Sequence, residues 1–226
     1  AIISDGDADR IAAMDEDGRF VNPHEVFALL LMHLVEDKGF GGSVAQTVSS
    51  TTMVTDLVRQ YGLGLHKTPV GFKYVADLFL SDPTLLIGGE ESGGIGVRDH
   101  IPERDSQYNA LLLLEMLGQR GITLKQAVQQ MWDKVGYRAY DRRDLHLSED
   151  VISRVREAVK AVSPSSLAGM PVADIDRLDG TRFNFADGSW LLVRPSGTEP
   201  VVRVYAESTD ELRARPARSG APQPPE

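Results

Sequence analysis

The sequence has no cysteine among its 226 residues, so disulfide bonds and thiolate metal sites are excluded. This absence fits a reducing compartment, and we expect a cytoplasmic protein. Basic residues are outnumbered, with 24 Lys and Arg against 33 Asp and Glu, and the net charge is −9. A nucleic-acid partner held by phosphate contacts is therefore not expected. The longest apolar run, VFALLLMHLV, is too short to span a membrane and contains His33, so no membrane partner is expected either.

The 42% of residues that are hydrophobic suffice for a substantial core. Over residues 21–135, apolar runs of strand length alternate with helical patterns, which predicts an α/β domain with a mostly parallel sheet covered on both faces. From about Gly136 the pattern changes to a long strand, an amphipathic helix with Ser148 as its N-cap, and three further strands. This second pattern predicts a small α+β domain. The Pro-rich tail, residues 213–226, has no apolar period, and we expect it to be disordered.

The first loop, DGDADR, carries aspartates at alternate positions and then an arginine: Asp5, Asp7, Asp9 and Arg10. Neighbouring carboxylates repel one another unless a cation or several hydrogen-bond donors lie between them. Hard oxygen ligands favour Mg²⁺ or Ca²⁺, so the loop is a candidate metal site. A solvated acidic turn is the simplest alternative. A calcium loop of the EF-hand type is another, but its required glycine position is occupied by Arg10 and a strand precedes the loop.

A glycine-rich loop, GGEESGG at residues 88–94, follows an apolar strand. Its glycines allow close approach of the backbone, while Glu90, Glu91 and Ser92 provide acceptors and a hydroxyl. A carboxylate that accepts from adjacent hydroxyls recognises a sugar, and parallel sheets bind ligands at their carboxyl ends. A flexible turn explains the loop equally well. In the following segment, HIPERD, Arg104 either faces an anionic substrate or pairs with a neighbouring acid on the surface.

A third segment, RPSGTEP, and the arginine beyond it offer anion-binding groups: Arg194, Ser196, Gly197, Thr198 and Arg203. An arginine fork matches a phosphate, and a glycine turn directs backbone N–H groups toward the same anion. The alternative is an ordinary tight turn. Two arginines around a hydroxyl-rich turn in an acidic protein favour phosphate binding.

Taken together, DGDADR, GEESGG and RPSGTEP resemble the α-D-phosphohexomutase superfamily, which includes phosphoglucomutase and phosphomannomutase. The resemblance covers about residues 2–207. It implies the end of the family's domain 2 over residues 1–20, domain 3 over 21–135, and a TBP-like domain 4 over 136–212. It also implies an intramolecular phosphotransferase that interconverts hexose 1-phosphate and hexose 6-phosphate through a hexose 1,6-bisphosphate and a phosphoserine.

The resemblance also implies residue roles. Asp5, Asp7 and Asp9 correspond to the Mg²⁺ ligands, and Arg10 to a catalytic arginine beside the transferring phosphoryl group. Glu90 and Ser92 match residues that bind sugar hydroxyls, and Arg104 retains the charge of a lysine common in relatives. The family's site for the non-reacting phosphate maps onto the third segment: Arg194, Ser196, Gly197, Thr198 and Arg203. GEESGG and TPVGFKY resemble the glucose and mannose branch more than the glucosamine branch.

The family's nucleophilic serine has no counterpart here. In relatives it lies in the first of four domains, in a loop that usually reads TASHNP, and no such string occurs in this chain. Phosphoryl transfer requires an in-line nucleophile, so we expect the isolated chain to be an inactive fragment whose partners are a hexose phosphate and the N-terminal domains of the same enzyme. A noncatalytic sugar-phosphate-binding module is the alternative.

Overall fold

The computed structural model describes residues 1–197 and 199–209. The chain divides into two compact units, and the division falls between Tyr137 and Arg138. Thr198 of the third motif and the tail 213–226, for which the sequence predicts disorder, lie outside the described residues. Among the helices of the described part of the chain, none has the length and apolar character needed to cross a membrane.

The first unit opens with a small antiparallel sheet whose strands follow chain order: β1 (Ile2–Ser4), β2 (Ile11–Met14) and β3 (Phe20–Val21). The aspartate loop connects β1 to β2. Helix α1 (Pro23–Met32) follows at a capping box, in which the Asn22 side chain and the Glu25 side chain each accept a backbone N–H of the other residue. Pro23 occupies the first turn, where its missing N–H costs nothing. The helix continues as a π-helical turn over His33–Asp37.

A second sheet forms the centre of the first unit, in the order β5-β4-β6-β7. Its strands are β4 (Ser43–Thr47), β5 (Gly64–Thr68), β6 (Leu85–Gly89) and β7 (Ile95–Val97). Strand β4 pairs in parallel with both β5 and β6, and only β7 runs antiparallel to its neighbour. The remaining helices of the unit are α2 (Thr52–Tyr61), α3 (Phe72–Ser81), α4 (Ser106–Arg120) and α5 (Leu124–Val135).

Helices cover both faces of this sheet. The larger core joins apolar side chains of α1, α2, α4 and α5 to β-strand residues such as Val44 and Ile87. A smaller core on the other face packs α3, through Phe72 and Val75, against Ala45 and Leu85. The predicted α/β sandwich with a mostly parallel sheet is therefore confirmed.

Gly88 of β6 allows α3 to pack close to the sheet. A Cβ atom at this position would lie 2.4 Å from Val75 Cγ1 and 3.2 Å from Ala45 Cβ. We expect Gly88→Ala to lower the free energy of unfolding by about 1–3 kcal/mol, because buried neighbours must shift. Gly118→Ala is the matched control, since nothing lies within 4 Å of its added Cβ and the helix should gain about 0.5–1 kcal/mol. Denaturant unfolding measures both, and equal effects would contradict this packing.

The second unit is a six-stranded antiparallel sheet in the order β8-β13-β12-β11-β10-β9. Its strands are β8 (Ala139–His146), β9 (Ser166–Leu167), β10 (Met170–Asp176), β11 (Thr181–Phe185), β12 (Trp190–Pro195) and β13 (Val201–Ser208). Helix α6 (Glu149–Ala161) packs against this sheet, and the Thr181 hydroxyl donates to the Val159 carbonyl at 2.8 Å. The predicted α+β unit is thus confirmed, although β9 and β10 were not predicted.

Ser148 occupies the N-cap position of α6, as the sequence predicts. Its hydroxyl, however, donates to Asp150 Oδ1 at 2.5 Å instead of capping a backbone N–H of the helix. The Ser148 side chain therefore hydrogen bonds to a carboxylate in the first turn of α6. A negative charge at that position is favourable, because the helix dipole is positive at the N-terminus.

Candidate functional site

The loop between β1 and β2 brings its three aspartates together. One carboxylate oxygen from each of Asp5, Asp7 and Asp9 lies within 4.8 Å of the others. Asp5 Oδ1 accepts the backbone N–H groups of Asp9 and Arg10 at 3.2 Å each, which fixes the orientation of that carboxylate. Three clustered carboxylates match the hard oxygen donors that Mg²⁺ prefers, so the residues present fit this ion.

Arg10 lies beside the aspartates. Its Nε is 2.8 Å from Asp5 Oδ2 and 3.2 Å from Asp9 Oδ1, and its contact with Asp9 raises the pKa of Arg10. Burial acts to raise the pKa of Asp5, but hydrogen bonds from the backbone N–H groups of Arg10 and Asp9, with the Arg10 charge, hold it below its ordinary value. Asp5 is therefore ionised at neutral pH, as a metal ligand must be.

The GGEESGG loop packs directly against the start of β2. The Ile11 N–H donates to the Gly93 carbonyl at 3.1 Å, and Arg10 and Gly94 form a single antiparallel bridge. Gly93 has φ +96°, and an added Cβ would lie 2.5 Å from the Ile11 oxygen, so only glycine fits this approach. The first unit therefore places the aspartate loop and the Glu90 loop side by side.

Arg104 contacts both loops. Its Nη2 lies 2.9 Å from Asp9 Oδ2 and its Nη1 lies 3.7 Å from Glu90 Oε2. The Nε also pairs with Glu103 at 3.1 Å, which is the pairing with a neighbouring acid that the sequence allows, and a substrate-facing role stays a prediction. A Cβ at Gly94 would lie 2.4 Å from Arg104 Cδ, which shows that this glycine makes room for the arginine.

The two glutamates of the loop face different neighbours. Glu91 accepts hydrogen bonds from Ser49 Oγ at 2.6 Å and Thr47 Oγ1 at 3.3 Å, whereas Glu90 lies near Arg104. Glu90 is 7% exposed. Burial, followed by the charge of Glu91, raises the pKa of Glu90 to about 7, against the opposing effect of Arg104. Ser92, half-buried, completes the loop.

The raised pKa of Glu90 predicts a pH-dependent stability. Its contribution is fully present below the ordinary value of 4.5 and is lost as the pH rises through about 7, because the buried carboxyl must then ionise. We expect Glu90→Gln to raise the free energy of unfolding by about 2–3 kcal/mol at pH 8 and to change it little at pH 4.5. Trp132 fluorescence in a Trp190→Phe background reports on the first unit alone.

The matched control for Glu90 is Glu103→Gln, since Glu103 is exposed and also pairs with Arg104. Its effect on the free energy of unfolding should not grow between pH 4.5 and pH 8. A Glu90→Gln effect of equal size at both pH values would contradict the role assigned to burial.

The RPSGTEP turn lies in the second unit, between β12 and β13. Arg194 and Arg203 are directly opposed in the register of these two strands. Arg194 Nε lies 2.8 Å from Asp179 Oδ2, and Arg203 Nη2 lies 2.6 Å from Glu199 Oε2. The side chains of Arg194 and Arg203 are only 17% and 22% exposed. Each guanidinium already pairs with an acid, and an incoming anion would have to compete with that acid.

Ser196 is buried within this turn. Its N–H donates to the Val201 carbonyl at 2.8 Å, its Oγ accepts the Glu199 N–H at 3.2 Å, and its carbonyl accepts from Arg156 Nη2 at 3.0 Å. Gly197 follows as an exposed residue of the turn. The described members of the third motif therefore form one strand–turn–strand unit.

Two features of the site are not visible in the sequence motifs. The GGEESGG sequence does not indicate that Glu91 faces Thr47 and Ser49. In an irregular loop, no periodic pattern shows which of two neighbouring acids points inward. Ser106, the first residue of α4, hydrogen bonds to the aspartate loop, although the two segments are about a hundred residues apart. Its place directly after the HIPERD segment is the only sequence indication of this contact.

The two units match known domains of sugar-phosphate mutases. The family model "Phosphoglucomutase/phosphomannomutase, alpha/beta/alpha domain III" matches residues 22–135, and the model of the C-terminal domain of the same family matches residues 148–216. Both units thus have the fold of hexose phosphate mutase domains. This chain belongs to the phosphoglucomutase/phosphomannomutase family of the α-D-phosphohexomutase superfamily, which confirms the resemblance inferred from its three motifs.

Similar proteins include both branches of the family. A phosphoglucomutase/phosphomannomutase of Thermococcus kodakarensis is 32% identical over 214 residues, which are 95% of this chain and 44% of that protein. A phosphoglucosamine mutase of Rubrobacter xylanophilus is 33% identical over 213 residues, 93% of this chain and 44% of that protein. A crystal structure from Thermus thermophilus, assigned as a phosphomannomutase, has a TM-score of 0.78 at 33% identity and covers 95% of this chain and 43% of that one.

The chain therefore spans less than half the length of these relatives. The near-equal identities to the two branches do not separate glucose or mannose from glucosamine as the sugar.

Proposed function

We propose that this chain provides the metal, sugar and distal phosphate subsites of a phosphohexomutase that interconverts the 1-phosphate and 6-phosphate of glucose or mannose. One observation carries the proposal: the clustered carboxylates of Asp5, Asp7 and Asp9 lie beside the Glu90 loop, and Arg104 contacts both. Family membership supports the reaction type.

In the first unit, Asp5, Asp7 and Asp9 would hold Mg²⁺, and Arg10 would remain beside them. The bound ion supplies positive charge that neutralises a transferring phosphoryl group. Arg10 contributes a second, fixed positive charge close to the same group, since its guanidinium already lies against two of the three carboxylates.

Glu90 would accept hydrogen bonds from sugar hydroxyls, with Ser92 adding a hydroxyl and Arg104 a positive charge. Only the ionised form of Glu90 is a pure acceptor, so its role is strongest above about pH 7, where its carboxyl ionises. In the second unit, the groups that would bind the non-reacting phosphate are Arg194, Ser196, Gly197, Thr198 and Arg203. Binding requires the phosphate to replace the carboxylates of Asp179 and Glu199 at the two guanidinium groups.

We further propose that the protein is cytoplasmic and that its catalytic partner is a set of N-terminal phosphohexomutase domains bearing a phosphoserine. The chain contains no TASHNP string, and its own groups can bind and orient a substrate but offer no recognised nucleophile. The purified 226-residue chain should therefore bind hexose phosphate without converting it.

The test is calorimetric titration of the chain with glucose 6-phosphate, with and without Mg²⁺, together with an assay of glucose 1-phosphate conversion. Binding that Mg²⁺ strengthens, without turnover, supports the proposal. Sugar-phosphate binding whose affinity does not depend on Mg²⁺ favours a noncatalytic sugar-phosphate-binding module. Stabilisation by Ca²⁺ without sugar-phosphate binding favours a structural calcium domain. Conversion by the chain alone would contradict the need for a serine-bearing partner. Glucosamine 6-phosphate as a second ligand separates the two branches.

A further inference from the structure

We propose that Ser106 is a positioning residue for the metal loop: its hydroxyl holds the loop in the conformation in which Asp5, Asp7 and Asp9 converge. The proposal rests on the metal-binding role proposed above. The Ser106 side chain is buried at the start of α4, and its hydroxyl hydrogen bonds to Ser4 and Ala8.

Ser106 contacts the aspartate loop at two points. Its Oγ donates to the Ala8 carbonyl at 2.9 Å, and its backbone N–H donates to the same oxygen at 3.0 Å. The Oγ also lies 2.7 Å from Ser4 Oγ. Ser4 Oγ is also positioned to donate to the Asp5 carbonyl at 3.4 Å, and either hydroxyl can be the donor in the bond between Ser4 and Ser106. Ser4 directly precedes Asp5, and Ala8 separates Asp7 from Asp9, so one hydroxyl connects both ends of the cluster.

Ala8 has a backbone conformation that requires such support. Its φ of +59° lies in the left-handed region, which a residue with a Cβ adopts only at a steric cost. The Ala8 N–H closes a turn onto the Asp5 carbonyl at 3.3 Å, so this conformation sets how the loop folds back. Two donors on the Ala8 carbonyl stabilise the turn against relaxation to an extended backbone.

The Ser106 hydroxyl is not required to begin α4. The N-cap of that helix is Asp105, whose Oδ1 accepts the N–H groups of Gln107 and Tyr108 at 2.9 Å each. Ser106 itself is 1% exposed. A hydroxyl that is buried, and that is not used by its own helix, therefore acts on the loop against which it packs.

The test is the affinity of the full 226-residue chain for Mn²⁺, followed by the electron paramagnetic resonance signal of free Mn²⁺. We expect Ser106→Ala to weaken binding about tenfold, as loss of an outer-shell partner does. Ser81→Ala is the matched control: Ser81 Oγ donates to the Asp77 carbonyl of α3 at 2.7 Å, a bond of the same kind remote from the loop. Its Mn²⁺ affinity should equal that of the unchanged chain.

A second substitution distinguishes positioning from general destabilisation. Glycine adopts positive φ without steric cost, so Ala8→Gly in the Ser106→Ala background should restore most of the lost Mn²⁺ affinity. A merely structural serine would show no such rescue. Ser4 is exposed, so Ser4→Ala should fold even if Ser106→Ala does not, and it should weaken binding by about threefold.

The outcomes separate this proposal from the one on which it rests. If Asp7→Asn abolishes Mn²⁺ binding but Ser106→Ala and Ser4→Ala leave it unchanged, the proposed metal site is supported and the role of Ser106 is overturned. Loss of affinity in Ser106→Ala without recovery on adding Ala8→Gly would also overturn it. No Mn²⁺ binding by the unchanged chain would overturn both.

Discussion

Replacing Asp7 with asparagine will lower the affinity of the chain for Mg²⁺ or Mn²⁺ by about 100-fold or more. Loss of an outer-shell partner alone costs metal sites about 10–100-fold, and Asp7 is a proposed ligand. Asp7 is exposed, so the substitution should leave the fold intact. The carboxylates of Asp5 and Asp9 would remain, but both also pair with Arg10, and two carboxylates beside a guanidinium bind a divalent cation weakly.

The measurement for Asp7→Asn is a Mg²⁺ titration by calorimetry, with Mn²⁺ as the spectroscopic substitute. Asp17→Asn is the matched control, because Asp17 is an exposed aspartate in the next turn, where it pairs with Lys125 at 2.5 Å. Its metal affinity should be unchanged. If both variants bind Mg²⁺ as the unchanged chain does, the aspartate loop is the solvated acidic turn that its sequence also allows.

Replacing Arg194 with methionine will lower the affinity for glucose 6-phosphate by about 100-fold. Methionine keeps a long apolar side chain but removes the charge and the fork that match a phosphate. Removing one partner from a buried charge pair costs about 2–5 kcal/mol, or about 30-fold to several thousandfold in affinity, a range that includes this loss. The Arg194 side chain extends from β12 to Asp179 and is only 17% exposed. Little solvent therefore screens the interaction of its guanidinium with a charged partner.

Circular dichroism must show that Arg194→Met retains the antiparallel sheet of the second unit. Arg154→Met is its control, since Arg154 is an exposed arginine on α6 of the same unit and pairs only with Asp150 among the described residues, at 3.2 Å. That variant should bind glucose 6-phosphate normally. An Arg194→Met chain that folds and binds as tightly as the control would exclude this turn as the phosphate subsite.

The sequence predicted those features that depend on local chemistry. The helix start at Ser148 is confirmed by α6, because N-cap preference acts within one turn. Alternation of strands and helices over residues 21–135 predicted the sandwich, since each helix had to bury one apolar face and the apolar strands had to be covered on both faces. Strands β9 and β10 were missed: Gly169 lies in the turn between them, Pro171 is a residue unfavourable to strands within β10, and β10 carries an irregular register against β11.

The environment of the site residues depended on contacts that no local pattern encodes. For Arg104 the sequence allowed a substrate-facing role or a surface pair, and its contact with Asp9 joins segments that are far apart in the chain. The bond from Ser106 to Ala8 and the bond from Ser49 to Glu91 could not be predicted from the sequence, because both join residues that are distant in the chain. Residue types and spacing can indicate which chemistry a segment supports, but only tertiary packing determines which side chains lie together in one site.

We propose that the Glu90 loop recognises a sugar and that the Arg194 turn recognises a phosphate. Titration of Glu90→Gln and Arg194→Met at pH 8 with glucose 6-phosphate and with inorganic phosphate tests it most directly. We predict that Arg194→Met weakens binding of both ligands, whereas Glu90→Gln weakens binding of glucose 6-phosphate alone. Unchanged affinity of Glu90→Gln for glucose 6-phosphate, or equal weakening of the binding of both ligands by that variant, would contradict sugar recognition by the Glu90 loop.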